Sequence, residues 1–165
     1  MKISVKDIAL IGMMVAIIEA CKFALAALPN IELTSFWIII FTLMFRKRIF
    51  VVIPVFIIIE GLVFGFNIWW FMYLYVWPLL AIITFIFHKN KSVIVWSIIS
   101  GIFGLLFGFM CSFVHLVIGG PTTAFTWWIS GIPWDVVHGV SNFIIMLVLY
   151  HPITKVMNKV ASTEN

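Results

Sequence analysis

A few polar side chains interrupt a sequence that is otherwise strongly apolar. Asp135, His138 and Asn142 follow one another at intervals of three and four residues, which places them on one stripe of a helix. Glu19 and Lys22 are also three residues apart. Carboxylate, imidazole, amide and ammonium groups can bind the hydroxyl and nitrogen atoms of a small polar ligand. These residues are therefore the first candidates for a binding site.

The composition around these side chains is that of an integral membrane protein. The 165 residues are 64% hydrophobic and 10% charged, whereas soluble domains average about 25% charged residues. Because a helix needs about 20 residues to cross a bilayer, the chain has room for about six helices and little else. We therefore expect an all-α integral membrane protein, a compact bundle of six transmembrane helices that forms a single domain over residues 1–165.

Apolar runs between polar, proline or glycine breaks define the six crossings. The second run has twelve residues, which is short for a crossing, but the charge distribution requires it. With the amino terminus in the cytoplasm, nine Lys and Arg residues lie in cytoplasmic connections and none in the opposite ones. Both termini are therefore predicted to be cytoplasmic. The predicted spans are 7–28, 34–45, 49–66, 68–87, 92–118 and 134–151. The alternative for the first run is a cleaved signal peptide.

Several functions are excluded by what the sequence lacks. It contains no GxxxxGK[ST], HExxH or GxSxG motif, so hydrolytic chemistry has no support and the chain is predicted not to be an enzyme. We expect no cofactor in this chain, and any ATP would be used by partner subunits. Cys21 and Cys111 lie in apolar runs, where free thiols behave as small hydrophobic side chains. The basic residues are scattered, so nucleic acid is not an expected partner.

In this orientation the ionisable groups within the spans lie in the outer half of the membrane. Such groups are costly in lipid and by default face a bundle interior or a wet cavity, so their common depth predicts one outward-facing pocket. Seven of the eight Trp residues also lie in the outer half, which is more lopsided than an aromatic belt at both interfaces. The predicted substrate-binding residues are Lys22, Glu60, Asn67, Trp70, Tyr73, Trp77, His115, Trp127, Trp128, Asp135, His138 and Asn142.

Each of these residues also has a structural interpretation. Glu19 and Lys22 could neutralise each other, and Asp135 could cap a helix. The tryptophans could form an interfacial belt, and the histidines could be core side chains. A metal site is a further alternative, although the spacing of its candidate ligands is not diagnostic; these are Glu60, His115, Asp135 and His138.

Two outer connections have the composition of gates. Residues 119–133 carry glycines and prolines at both ends, so Gly119, Gly120 and Gly131 could act as hinges while Trp127 and Trp128 close over a ligand. An irregular re-entrant segment is the alternative. The second candidate gate is the connection 28–32.

The first helix carries a small residue at every fourth position, at Gly12, Ala16 and Ala20. In lipid such a stripe lets another helix approach closely. Lys22 points about 120° away from the centre of the stripe, so one face could dock a partner while another faces the pocket. Packing of the stripe within the same bundle is the alternative.

Together these residues resemble a known family, the substrate-binding S components of energy-coupling-factor (ECF) vitamin transporters. The resemblance covers nearly the whole chain. It rests on the small size, the six spans, the first-helix stripe, the segment Leu28-Pro29-Asn30-Ile31-Glu32-Leu33-Thr34 and the segment from Gly131 to Phe143, GIPWDVVHGVSNF.

The resemblance implies a function and partners. It makes Gly12, Ala16 and Ala20 the interface with a membrane coupling subunit that two ATPase subunits drive, and it makes 28–34 and 119–133 gates. It implies a multi-pass protein of a prokaryotic cytoplasmic membrane that binds a vitamin near the outer surface and topples to release it inside. The chain looks most like members assigned to vitamin B6 (pyridoxine) or hydroxymethylpyrimidine, while riboflavin and cobalamin stay open.

Two hypotheses from other classes compete with a transporter subunit. One is an intramembrane enzyme or a metal- or proton-coupled carrier, although a proton path should cross the membrane and the ionisable groups stop halfway. The other is a structural assembly factor, which predicts no binding of small molecules.

Overall fold

The structure, a computed structural model, describes residues 4–162, with side chains described as far as Lys159. Every regular element in this part of the chain is helical, which confirms the predicted all-α class. A 3₁₀ turn at Arg46–Arg48 joins the second helix to the third. The helices are α1 (Val5–Ala24), α2 (Thr34–Phe45), α3 (Ile49–Phe64), α4 (Ile68–Ile86), α5 (Val93–Leu105) and α6 (Phe107–Ser162).

Local sequence explains where the first helices begin and end. α1 begins with a capping box: the Asp7 backbone N–H donates to Ser4 Oγ (3.2 Å) and the Ser4 backbone N–H donates to Asp7 Oδ2 (3.0 Å). Together these satisfy backbone donors that the first turn leaves free. α3 ends at Gly65, whose φ of +88° favours glycine. The following turn directs α4 back along the bundle.

α2 is the central helix of the bundle. It contacts α1, α3, α4 and α6, and eight of its twelve residues are buried. A helix that is apolar on all sides is typical of a position surrounded by other helices. The short second run of the sequence therefore faces protein on most of its surface.

The helices α1 to α4 alternate in direction, which gives the bundle two distinct ends. At the first, which we call the basic end, Arg48 Nε donates to Asp7 Oδ1 at 2.7 Å. At the other, which we call the cleft end, the Lys22 ammonium pairs with the Glu60 carboxylate. These two pairs show that α1 and α3 run in the same direction.

The region from 92 to 134 differs from the prediction in two places. The predicted span 92–118 is interrupted at Leu106, between α5 and α6. The predicted loop 119–133 is wrong, because α6 passes through it with only Gly120 in a non-helical conformation (φ 77°, ψ −177°). The proline that follows, Pro121, stands at the first position of the new helical stretch, where its fixed φ and missing N–H favour a helix start.

Gly120 folds α6 back on itself. Asp135 Oδ1 accepts a hydrogen bond from the Gly108 backbone N–H at 2.9 Å, and these two residues lie at nearly equal distances along the chain from Gly120. Residues 107–119 and 121–162 therefore form two antiparallel arms. The approach is so close that a Cβ at position 108 would overlap the Asp135 carboxylate, so a larger residue there would displace that side chain.

Two stretches are long and apolar enough to cross a membrane, judged by length and composition over the described residues. The first is α4, Ile68–Ile86, and the second runs from Val93 to Lys159 and includes α5 and most of α6. At this coarse level the structure indicates a membrane protein.

The small-residue stripe of α1 lies on the outside of the bundle. Gly12, Ala16 and Ala20 are all exposed, and a Cβ added at Gly12 would meet nothing within 4 Å. The opposite side of α1 is buried. Packing of the stripe inside its own bundle, the alternative from the sequence, is therefore wrong for this structure.

Candidate functional site

Two adjoining cavities open at the cleft end of the bundle. They lie between the end of α1, the α1–α2 connection, the end of α3, the start of α4 and α6. The first has a volume of about 370 Å³ and the second of about 260 Å³, and they share Lys22, Ala26 and Tyr73. Phe23, Glu60, Phe64 and Trp69 complete the first cavity. The second is completed by Leu25, Leu28, Pro29, Asn30, Ile31, Glu32, Thr34, Trp77, Phe107 and His138.

An ion pair between α1 and α3 forms the polar part of the first cavity. The Lys22 ammonium donates to Glu60 Oε2 and lies 3.4 Å from Tyr73 Oη. The Glu60 side chain is completely buried, whereas 27% of the Lys22 side chain is exposed. Glu60 Oε1 accepts no hydrogen bond from any described residue. The carboxylate therefore retains unused capacity to accept a hydrogen bond next to the cavity.

Aromatic rings surround the Lys22 ammonium. Its nitrogen lies between 5.1 and 5.8 Å from the centroids of four rings, which belong to Phe56, Phe64, Trp69 and Tyr73. Aromatic faces attract a cation at this distance. The first cavity is thus an aromatic enclosure that already holds a positive charge.

A second carboxyl group lies beside the ion pair. Glu19 is on the buried side of α1 and is close enough to Glu60 for the two carboxyl groups to interact electrostatically. Neither Glu19 oxygen accepts a hydrogen bond within the described part of the chain. The two carboxyl groups are also close enough to share a hydrogen bond.

The second cavity contains a polar link between the α1–α2 connection and α6. His138 Nε2 lies 3.1 Å from Glu32 Oε1, and the Ser35 backbone N–H donates to both Glu32 oxygens, at 2.9 and 3.2 Å. Ser141 Oγ donates to the Asn30 carbonyl at 3.2 Å. These bonds hold the connection, one of the two predicted gates, against α6.

The same contacts determine the charge of Glu32. Burial acts to raise the pKa of its carboxyl group, but hydrogen bonds from His138 and Ser35 stabilise the carboxylate and lower the pKa to about 2. Glu32 is therefore ionised throughout the physiological range. It adds a fixed negative charge to the second cavity.

Five of the predicted site residues line the two cavities. Lys22, Glu60, Tyr73, Trp77 and His138 come from four different helices and meet at the cleft end. Of the residues that the sequence did not select, Trp69 lines the first cavity and Phe107 the second.

The other predicted site residues lie outside these cavities, and their role in binding stays a prediction. Asn67 precedes α4, its Nδ2 donating to the Phe64 carbonyl (3.3 Å), and Trp70 Nε1 donates to the Ile57 carbonyl (2.8 Å). His115 stacks on Trp127 across the α6 arms, with ring centroids 4.6 Å apart. Trp128 packs edge-on against Phe109, Asp135 bonds Gly108, and Asn142 is buried with its Nδ2 unpaired among the described residues.

Trp127 and Trp128 lie within a regular helix. They are therefore part of the α6 arm that packs against residues 107–119 and not of a loop, and their closing over a ligand stays a prediction.

Each of the four candidate metal ligands has a different contact partner in the structure. Glu60 pairs with Lys22, His138 with Glu32, Asp135 with Gly108, and His115 with Trp127. Within residues 4–162 no three His, Cys, Asp or Glu side chains come together in a way that could hold a metal ion.

Comparison with known proteins adds no relative: no protein-family model, curated protein or solved structure matches the chain.

Proposed function

We propose that this chain is the substrate-binding subunit of an ECF-type ABC transporter that takes up a small vitamin or vitamin precursor. Pyridoxine and hydroxymethylpyrimidine are the first candidates. The observation that carries the proposal is the meeting of Lys22, Glu60, Tyr73, Trp77 and His138, from four helices, around two adjoining cavities.

The cleft suits a flat heteroaromatic ring with a few polar substituents. Small-molecule sites are concave and mostly apolar, have volumes of about 300–1,000 Å³, and use a few placed polar groups to orient the ligand. Trp69 and Tyr73 offer ring faces for stacking. Glu60 and His138 offer polar atoms at opposite sides of the cleft.

The surface of the bundle supports a location in a membrane, which in this proposal is the cytoplasmic membrane of a prokaryote. Large apolar side chains are exposed along the helices, among them Ile58, Leu74 and Val148, and such a surface is favourable against lipid. Arg46 and Lys47 are exposed at the basic end, which the positive-inside rule places in the cytoplasm. In this arrangement the six predicted spans cross the membrane, both termini are cytoplasmic, and the cleft opens outward.

The outer face of α1 supports the proposed partners. Exposed small residues at three successive turns let a second helix approach closely in lipid. We assign Gly12, Ala16 and Ala20 to the contact with a membrane coupling subunit, which two ATPase subunits would drive. The chain itself performs no catalysis in this proposal, and ATP is used by those partners.

Tryptophan fluorescence of the purified protein tests the proposal directly. After removal of co-purified ligand, the protein in detergent is titrated with pyridoxine, pyridoxal, hydroxymethylpyrimidine, riboflavin and cobalamin. We expect saturable quenching at sub-micromolar concentration by one of these compounds. The absence of a response to all five in correctly folded protein would contradict the proposal.

Two single tryptophan variants locate the signal. Trp69 lines the first cavity, so Trp69→Phe should remove a large part of the quenching. Trp96 is buried at the other end of the bundle, where its Nε1 donates to the Asn90 carbonyl, so Trp96→Phe serves as the matched control and should leave the quenching unchanged. Equal effects of the two substitutions would place the ligand elsewhere.

A further inference from the structure

The Lys22 ammonium lies in a setting that is suited to a cationic ligand. Four aromatic rings surround its nitrogen at centroid distances of 5.1–5.8 Å, and a buried carboxylate, Glu60, contacts it directly. Aromatic faces combined with a carboxylate are a typical environment for an organic cation.

The hydrogen-bonding capacity around Lys22 is unbalanced. Glu60 Oε1 is buried, and no described ammonium, hydroxyl, amide or backbone N–H donates to it; its neighbour is the carboxyl group of Glu19. Buried oxygens of this kind are costly unless a donor reaches them. Glu60 is the one of the two that lines the first cavity, so a ligand in that cavity can supply the missing donor.

The two members of the ion pair differ in their freedom to move. The Glu60 side chain has no exposed surface, whereas 27% of the Lys22 side chain is exposed. Lysine carries its charge on a flexible four-carbon chain and can keep its ammonium in water. A competing cation can therefore displace Lys22 into solvent, while Glu60 stays in the cavity.

We infer that the first cavity selects ligands with a cationic, hydrogen-bond-donating nitrogen, and that Lys22 occupies the place of this nitrogen until the ligand displaces it. The inference rests on the proposed function, because it names the charge class of the substrate. The ligand nitrogen donates to Glu60, and its ring stacks on Trp69 or Tyr73. An anionic ligand is disfavoured because the single ammonium in the cavity is already neutralised by Glu60.

Ligands that share one ring and differ in charge test this selection. Pyridoxamine carries an ammonium group, pyridoxine an alcohol and 4-pyridoxate a carboxylate at the same ring position. Benzylamine and benzyl alcohol form a second pair without the vitamin ring. We expect pyridoxamine to bind at least about tenfold more tightly than pyridoxine, with 4-pyridoxate weakest, since a desolvated cation–aromatic contact together with an ionic hydrogen bond has about this effect or more.

Two substitutions test the roles of the ion pair. Glu60→Gln should abolish the preference for the cation, while Lys22→Met, which keeps an unbranched side chain without the charge, should strengthen pyridoxamine binding by about tenfold because the ligand no longer displaces an ammonium. Lys22→Met/Glu60→Gln preserves the net charge and serves if a single variant does not fold; it too should lose the cation preference. Asp7→Asn, which alters the ion pair at the basic end, is the matched control and should leave all affinities unchanged.

Each outcome separates this inference from the proposed function. Tightest binding of 4-pyridoxate, or weaker pyridoxamine binding in Lys22→Met, would overturn the inference and leave a vitamin-binding subunit intact; equal affinities for the three pyridines would do the same. Binding of benzylamine but of no vitamin, with loss in Glu60→Gln, would support the cation site and overturn the vitamin function. A lack of binding by every compound in folded protein would overturn both.

Discussion

The two faces of α1 differ in charge, in side-chain size and in exposure. The inner face carries Glu19 and Lys22, which meet Glu60 in an aromatic enclosure. The outer face carries Gly12, Ala16 and Ala20, which are exposed. One face offers charge and hydrogen-bonding groups, and the other offers close backbone approach.

This difference shows how one helix can serve two interactions at once. Because side chains advance by about 100° per residue, residues four apart stay on one side while Lys22 turns to the other. A substitution on either face can therefore affect one interaction and leave the other intact. In our proposal the inner face binds the vitamin and the outer face binds the coupling subunit.

The largest effect is expected from a charge on the outer face. Ala16→Arg should abolish uptake in cells that contain the whole transporter, because a long cationic side chain prevents close helix approach, while the ligand affinity of the purified protein stays within about twofold. Ala16→Ser is the control, since a small side chain preserves the approach, and it should transport normally. Equal loss of uptake and binding in Ala16→Arg would break the division between the two faces.

His138 tests the inner side of the bundle, where binding and uptake should fall together. His138→Ala removes the polar link to Glu32 in the second cavity, and we expect about 10- to 100-fold weaker ligand binding from the loss of a hydrogen bond to a charged group. The exposed His151 provides the control, because His151→Ala should leave the affinity unchanged. Normal affinity in His138→Ala would remove the second cavity from the ligand site.

Asp135 lies on α6, away from both faces of α1, and its substitution should affect the stability of the protein. Its carboxylate accepts from the Gly108 backbone N–H between the two α6 arms. Asp135→Ala leaves that donor buried without a partner, so the melting temperature should fall by about 3–10 °C with little change in affinity. A loss of affinity at unchanged melting temperature would instead place Asp135 in the ligand site, as the sequence predicts.

Glu32 gives the smallest expected effect, which depends on pH. Its pKa falls from an ordinary value of 4.5 to about 2 in the folded protein, so its stabilising contribution is complete above about pH 5 and is lost as the pH falls toward 2. Glu32→Gln should therefore lower the melting temperature by a few degrees at neutral pH, with the difference vanishing in acid. A difference that grew in acid would contradict the hydrogen bonds to His138 and Ser35.

The sequence predicts α1 to α4 well, because apolar runs there end at clear polar or glycine breaks. It fails between 119 and 133, where the glycines and prolines predict a loop and the structure has a helix. Gly120 and Pro121 instead mark the end of one helical arm and the start of the next, and a single sequence offers no signal for the length of the arm that follows. The break at Leu106 has no proline or polar residue to indicate it.

The site is predicted in part for a similar reason. The sequence predicts that Lys22, Glu60 and Tyr73 lie at a similar depth in the membrane, since the depth of a residue follows from its position along its helix. The rotation of each helix about its axis is harder to predict: the sequence indicates Trp70, but its neighbour Trp69, about 100° away, lines the cavity. The sequence predicts Glu32 only as part of a gate, because its contact with His138 joins residues 106 positions apart.

The shortness of α2 has a consequence for the distance a ligand must travel. Twelve residues span about 18 Å, whereas the hydrocarbon core of a bilayer is about 30 Å thick. Thr34, the first residue of α2, lines the second cavity, so the floor of the cleft lies below the level that a full-length helix would reach. In the proposed orientation, a bound molecule already lies well inside the membrane. The protein layer that still separates it from the cytoplasm is little thicker than the length of α2.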